Sequence, residues 1–139
     1  MEIEWELAAG GTEPKDRLAW GLLKDKKEIA HFANTNESGI QHTTPVWMYP
    51  QGVSPYGVMD MSGNVLEWLT NIRRTEQQVI NNRVEEIYWM GQMGGAWNYD
   101  QGPAHVSYRL SNYPGDRFNY NGFRVAASPI EEFSKGGTG

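Results

Sequence analysis

Three stretches decide how this chain is read: Gly94-Gly95-Ala96-Trp97-Asn98-Tyr99-Asp100, Tyr108-Arg109-Leu110-Ser111-Asn112-Tyr113-Pro114 and Asn121-Gly122-Phe123-Arg124. Each joins framework residue types (Gly, Trp, Arg, Pro, Phe) to runs of Asn, Tyr, Asp and Ser. Tyr supplies a large amphipathic contact at low entropic cost, while Ser and Asn adapt their hydrogen bonds, an economy shared with antibody loops. This composition points to recognition on a scaffold. It also fits irregular loops in which the same residues only turn the chain.

With 139 residues and 39% hydrophobic content, the chain can bury one core. The reading is one domain over residues 1–130 and a flexible tail over 131–139. A net charge of −5 argues against a nucleic-acid partner, because phosphate contacts need clustered Lys and Arg. The basic runs Lys24-Asp25-Lys26-Lys27 and Arg73-Arg74 are short and read as solvated faces. Cysteine is absent, which excludes disulfides, thiolate nucleophiles and Cys-ligated metals. No apolar run is long enough to insert in a membrane, and Met1-Glu2-Ile3-Glu4-Trp5 has no signal-peptide pattern.

Six Trp, seven Tyr and sixteen Gly imply a core built on large aromatics, with many backbone positions in turns. Glu2 to Ala9 holds helix formers and stops at Gly10-Gly11, predicting a short helix. Val84 to Met90 and Arg124 to Ala127 read as strands. Asn34 to Gly39 and Pro50 to Gly57 read as loops.

Met59-Asp60-Met61-Ser62-Gly63-Asn64-Val65-Leu66-Glu67-Trp68, then Gly94-Gly95-Ala96-Trp97, Tyr108-Arg109 and Gly122-Phe123-Arg124-Val125, resemble in order and spacing the formylglycine-generating-enzyme (sulfatase-modifying factor) family. The resemblance implies an α+β fold of C-type lectin type, with a small, mainly antiparallel sheet, two helices and long ordered loops. The family's N-terminal strand and first helix have no counterpart here. The family's founding activity uses a copper-bound thiol pair, and the matching positions are Gln101 and Val106, neither of which is a thiol. His31, His42 and His105 are widely separated, with none of the spacing of a metal site. No catalytic residue is expected.

The resemblance also implies a structural calcium held by loop carbonyls and one carboxylate, at Ser62, Gly63, Val65 and Glu67, a mixed oxygen set that suits a hard cation. The alternative is that Glu67 hydrogen-bonds within the loop and no ion is needed. No other cofactor is expected.

Trp97 to Asp100, Tyr108 to Pro114 and Asp116 to Arg124 are further similar to the variable region of a diversity-generating retroelement protein, in which template adenines, mostly of Asn codons, are mutated. Asn98, Tyr99, Asp100, Leu110, Ser111, Asn112, Tyr113, Asp116, Phe118, Asn119, Tyr120 and Asn121 are all reachable from such codons, and residues 98 to 121 contain no Lys, Glu, Met or Trp. Trp97, Tyr108, Arg109, Pro114, Arg117, Phe123 and Arg124 would be the fixed frame, and Tyr99, Tyr113, Phe118 and Tyr120 an exposed apolar centre. The resemblance implies a non-catalytic binding domain, displayed on a virion or cell surface, whose partner is a protein or other macromolecule on a host or neighbouring cell. The alternative is an enzyme or enzyme remnant binding a small molecule or peptide near Gln101, His105 and Arg109.

Overall fold

Asn81 and Asn82 reverse the chain with both residues left-handed, at φ of 51° and 59°. Asn tolerates that region better than most side chains, and a two-residue turn of this hand matches the twist of the strands it joins. It links β1 (Leu66–Ile80) to β2 (Arg83–Met93) as an antiparallel hairpin. The computed structural model describes residues 1–23 and 25–127, with Lys26 by its backbone only. The expected tail over 131–139 and part of the Lys24 to Lys27 run lie outside the described residues.

β3 (Leu110–Asn112) adds antiparallel to β2, and β4 (Asn121–Gly122) adds parallel to β1, giving a mixed sheet of order β3-β2-β1-β4. The strand expected over Val84 to Met90 lies inside β2, while Arg124 to Ala127 forms no strand. Arg124 is turned inward to an ion pair, and Phe123 and Val125 on either side point to solvent at 76% and 85% exposure. Among the described residues no strand lies on that side to take up an alternating pattern.

Among the described residues there is one α-helix, α1 (Glu2–Ala8), with three short 3-10 segments, where two helices were expected. Gly10 stops α1 at a φ of 96°, and a side chain there would meet the Arg17 guanidinium at 2.5 Å. α1 buries Trp5 in a cluster with Ala9, Ala19, Met61, Leu69, Met93 and Val106. A second cluster of Leu18, Ile29, Ala33 and Ala104 sits beside it, with Trp20 packed on both.

Buried polar groups hold the loops to this core. Arg17 donates to the carbonyls of Ala9, Gly11 and Ala19 at 2.8, 3.0 and 3.2 Å, satisfying a buried cation. The Asn64 side chain accepts from the Thr44 N–H at 3.0 Å and donates to its carbonyl at 3.1 Å. The Ser62 hydroxyl takes the Ala19 N–H at 3.0 Å and donates to the Ala104 carbonyl at 2.8 Å. In this way the 62–67 loop fastens the segments before and after it.

Candidate functional site

In the loop after β2, the left-handed backbone of Gly95 lies so close to Ala104 that a Cβ would meet its main chain at 2.8 Å. From there Trp97 is fixed by its N–H to the Asn64 carbonyl at 3.0 Å and by its indole N–H to the Asn119 carbonyl at 3.4 Å. That second bond ties the 97–100 loop to the 116–121 loop. Tyr99 and Tyr120 meet edge to face at 5.6 Å between ring centroids, and Phe118 stacks on Tyr120 at 5.0 Å with an interplanar angle of 6°. Three of the four aromatics expected at the centre therefore form one cluster, at geometries favourable for aromatic pairs.

Asn98, Asp100 and Asn119 are exposed beside this cluster in sequence, and Asp116 caps its own turn by accepting the Tyr113 N–H at 3.2 Å. Tyr113 is exposed but makes no ring contact with the other three. Leu110, Ser111 and Asn112 make up β3, at the opposite sheet edge from β4. The two edges are three strand spacings apart, about 14 Å. Both edge strands sit at the same end of the sheet, where Glu67 faces Met93. Two members of the set point partly inward: Asn112 donates to the Gln92 side chain at 2.6 Å, and the Asn121 amide is buried with neither atom hydrogen-bonded.

The frame residues divide in the same way. Arg109 bridges to Glu2 at 2.5 Å and to Glu6, one turn apart on α1, so it anchors the helix to the stretch before β3. Burial raises the Glu2 carboxyl, but the hydrogen bond from Arg109 and the charges of Arg73 and Arg109 outweigh it and hold the group below its ordinary value. Trp97 is half-buried, whereas Tyr108, Pro114, Arg117 and Phe123 are exposed and do not act as core.

Glu67, only 4% exposed, accepts the Trp5 indole N–H at 2.7 Å and the Arg124 Nε–H at 2.7 Å, while Arg124 Nη2 bonds its other oxygen. The alternative to an ion was hydrogen bonding within the loop; the partners are instead Trp5 and Arg124. Of the carbonyls in the calcium set, that of Gly63 accepts the Val65 N–H at 3.0 Å. An ion at Glu67 would share the carboxylate with the Arg124 guanidinium. Asp60 lies beside the pair. Burial pushes its carboxyl up to about 6 against the pull of Arg124, and one of its oxygens is buried without a hydrogen bond.

Of the positions matched to the thiol pair, Val106 is fully buried and Gln101 lines a cavity of about 370 Å³ with Asp16, Leu18, Glu37, Asp100 and His105. Glu37 accepts the Gln101 N–H at 2.9 Å. Among the described residues no three His, Asp or Glu side chains gather as a metal site. The sequence reading missed Asn64 as the hub joining Thr44, Asn34 and Trp97. Its signal was the Gly-Asn step inside Ser62-Gly63-Asn64, where a left-handed Asn with a φ of 69° turns its side chain back on the fold.

Residues 1–129 match the model of the sulfatase-modifying factor enzyme 1-like domain. A serine/threonine-protein kinase pkn1 of Chlamydia caviae is 31% identical over 133 residues, covering 90% of this chain and 20% of the relative. The formylglycine-generating enzyme of Thermomonospora curvata is 28% identical over 151 residues, covering 93% and 48%. The solved structure of Treponema denticola variable protein 1 superposes with a TM-score of 0.66 at 25% identity, over 88% of this chain and 44% of that one. The chain thus spans less than half the length of each.

Proposed function

The chain belongs to the sulfatase-modifying factor enzyme 1-like domain family, and from that premise we propose that it is a non-catalytic binding domain, the variable protein of a diversity-generating retroelement. The observation that carries this reading is the cluster of Tyr99, Phe118 and Tyr120. Three residues from two separate loops, all of types reachable by adenine mutagenesis of Asn codons, form one partly exposed aromatic patch with Asn and Asp beside them in sequence. Such patches, aromatic at the centre and polar at the rim, are where interface energy concentrates. The likeness to a variable protein supports the reading, and the absence of cysteine removes the oxidase chemistry of the family's founding enzymes. The partner is a protein or other macromolecule on a host or neighbouring cell, met from a virion or cell surface. Arg124 balances the Glu67 carboxylate.

The test is genetic. Next to the gene there should be a reverse transcriptase and a near-copy of the segment encoding residues 97 to 124, differing only at template adenines. A locus without that copy leaves only a generic binding domain.

A second reading has one observation in its favour. The cavity at Gln101 and His105 is large enough for a small molecule, as an enzyme remnant would require. Arg109, expected to join them, is instead engaged by Glu2 and Glu6. Retained affinity for the partner in a variant that fills this cavity, Gly102→Phe, would assign recognition to the aromatic patch.

A further inference from the structure

Three exposed carboxylates, Asp16, Glu37 and Asp100, line the cavity at Gln101, and none of them makes an ion pair among the described residues. Two are held in place by the loop they border. Glu37 accepts the Gln101 N–H at 2.9 Å through Oε1, and Asp100 accepts the Gly102 N–H at 3.1 Å through Oδ1, which leaves the second oxygen of each directed by the first. Leu18, Leu22 and Leu23 add apolar surface to the same cavity. Like charges that share a cavity disfavour one another until a cation enters. Among the described residues no three acidic or His side chains are placed to hold a metal ion, and the cation that answers these charges is therefore a broader one. A guanidinium on an aliphatic stem meets both parts of the lining: its planar fork of N–H donors pairs with carboxylates, and its methylenes lie against the leucines.

One peptide joins this cavity to the aromatic patch. Tyr99 packs on Tyr120 in the patch, and Asp100, the next residue, lines the cavity. The Tyr99 carbonyl accepts the Asn36 N–H at 2.8 Å, and this bond, with that between Gln101 and Glu37, ties the 97–101 loop to the segment that carries Glu37. Asp16 and Glu37 lie outside residues 98 to 121, and variation confined to that segment leaves both carboxylates in place.

Resting on the reading of the patch as a recognition surface, we propose that the cavity receives an arginine side chain of the protein partner, whose neighbouring residues lie on Tyr99, Phe118 and Tyr120. Asp16 and Glu37 supply a constant anchor, and the patch beside them supplies the part that variation retunes. Partly exposed charge pairs contribute modestly, which leaves the larger share of the affinity with the aromatic rings.

The probe is Nα-acetyl-arginine amide, titrated at low salt into the isotopically labelled full chain and followed by amide chemical shifts, with the uncharged isostere Nα-acetyl-citrulline amide as the control. The arginine compound should shift Leu22, Leu23, Gln101 and Gly102 saturably, and the citrulline compound should not. Glu37→Gln and Asp100→Asn each keep an oxygen for the loop N–H and lose only the charge. Each should weaken the arginine compound about two- to fivefold, and the double variant about tenfold. A blocked Arg-Leu dipeptide should bind more tightly than the single residue and shift Tyr99 and Tyr120 as well. Equal shifts from the two compounds, or unchanged affinity in the double variant, overturns the inference. A dipeptide that binds no more tightly and leaves Tyr99 and Tyr120 unmoved makes the cavity a site for a small cation and overturns the docking of a partner there. These shifts are read on the protein alone, and they stand or fall separately from the template copy that tests the retroelement reading.

Discussion

Arg124 closes on Glu67 across 57 residues of sequence, binding both carboxylate oxygens and reaching the Met59 carbonyl at 3.0 Å. The pair joins the last described segment to the start of β1, and Trp5 of α1 adds the third hydrogen bond. Removing the guanidinium leaves a nearly buried carboxylate with one neutral donor. Breaking one side of a buried pair costs far more than the pair's net worth, so Arg124→Met should lower unfolding stability by about 3 kcal/mol. Denaturant unfolding checks this. The double variant Arg124→Met with Glu67→Gln should recover much of the loss, since the stranded charge is then gone.

The same pair bears on calcium. An ion bound only by the native state would raise the melting temperature by mass action. Because Arg124 already balances Glu67, melting curves with and without a calcium chelator should superimpose. A fall in melting temperature on chelation, reversed by added calcium and absent in Glu67→Gln, would instead place an ion at Ser62, Gly63, Val65 and Glu67.

α1 was legible because Gly10-Gly11 punctuates a run of helix formers, and the aromatic patch because Tyr and Phe recur among Asn and Asp in two loops. Of the hairpin, β2 was legible in part, over Val84 to Met90, but β1 was not. Arg73-Arg74-Thr75-Glu76-Gln77-Gln78 has no apolar alternation, since a ribbon solvated on both faces has no side to bury, and its turn is Asn-Asn rather than the more recognisable Asn-Gly. The inward turn of Asn112 and Asn121 was equally hidden: only pairing with Gln92 and β1 decides which way those amides point.

Asp60 gives a pH prediction. Its folded value near 6 stands above the ordinary aspartate value of 3.8, so the native state binds more protons than the unfolded state between those values. Stability from this group is therefore highest below about pH 4, falls as pH rises to about 6, and is level beyond. Asp60→Asn should flatten the profile and stabilise the protein at pH 7 by on the order of 1 kcal/mol, after discounting for partial solvent screening. Asn also suits the left-handed backbone there, at a φ of 55°. The check is the wild-type minus variant difference across pH, which removes the opposite trend of carboxyls such as Glu2.

Two tryptophans separate core from frame. Trp5→Ala, at 5% exposure and with its indole bond to Glu67 lost, should cost about 3 to 5 kcal/mol. Trp97, expected from the sequence to be a buried frame residue, is half-buried, and Trp97→Ala should cost roughly half as much. Equal losses in paired denaturation curves would show that Trp97 is as deeply held as Trp5.

Tyr99, Phe118 and Tyr120 touch one another, so replacing all three with Ser removes two ring pairs, each worth about 0.5 to 1.5 kcal/mol beyond buried area, and should cost a small but measurable part of the stability. The effect on binding should be much larger. With a partner captured from the host or its neighbours, an alanine scan of residues 98 to 121 should concentrate losses above about 1 kcal/mol at these three residues. Tyr113, outside the cluster, should lose less, and Asn112 and Asn121, whose side chains face the fold, should affect stability before affinity. If the losses fall instead on the exposed Trp47 and Tyr56 while the cluster stays silent, recognition belongs to a different face of the domain.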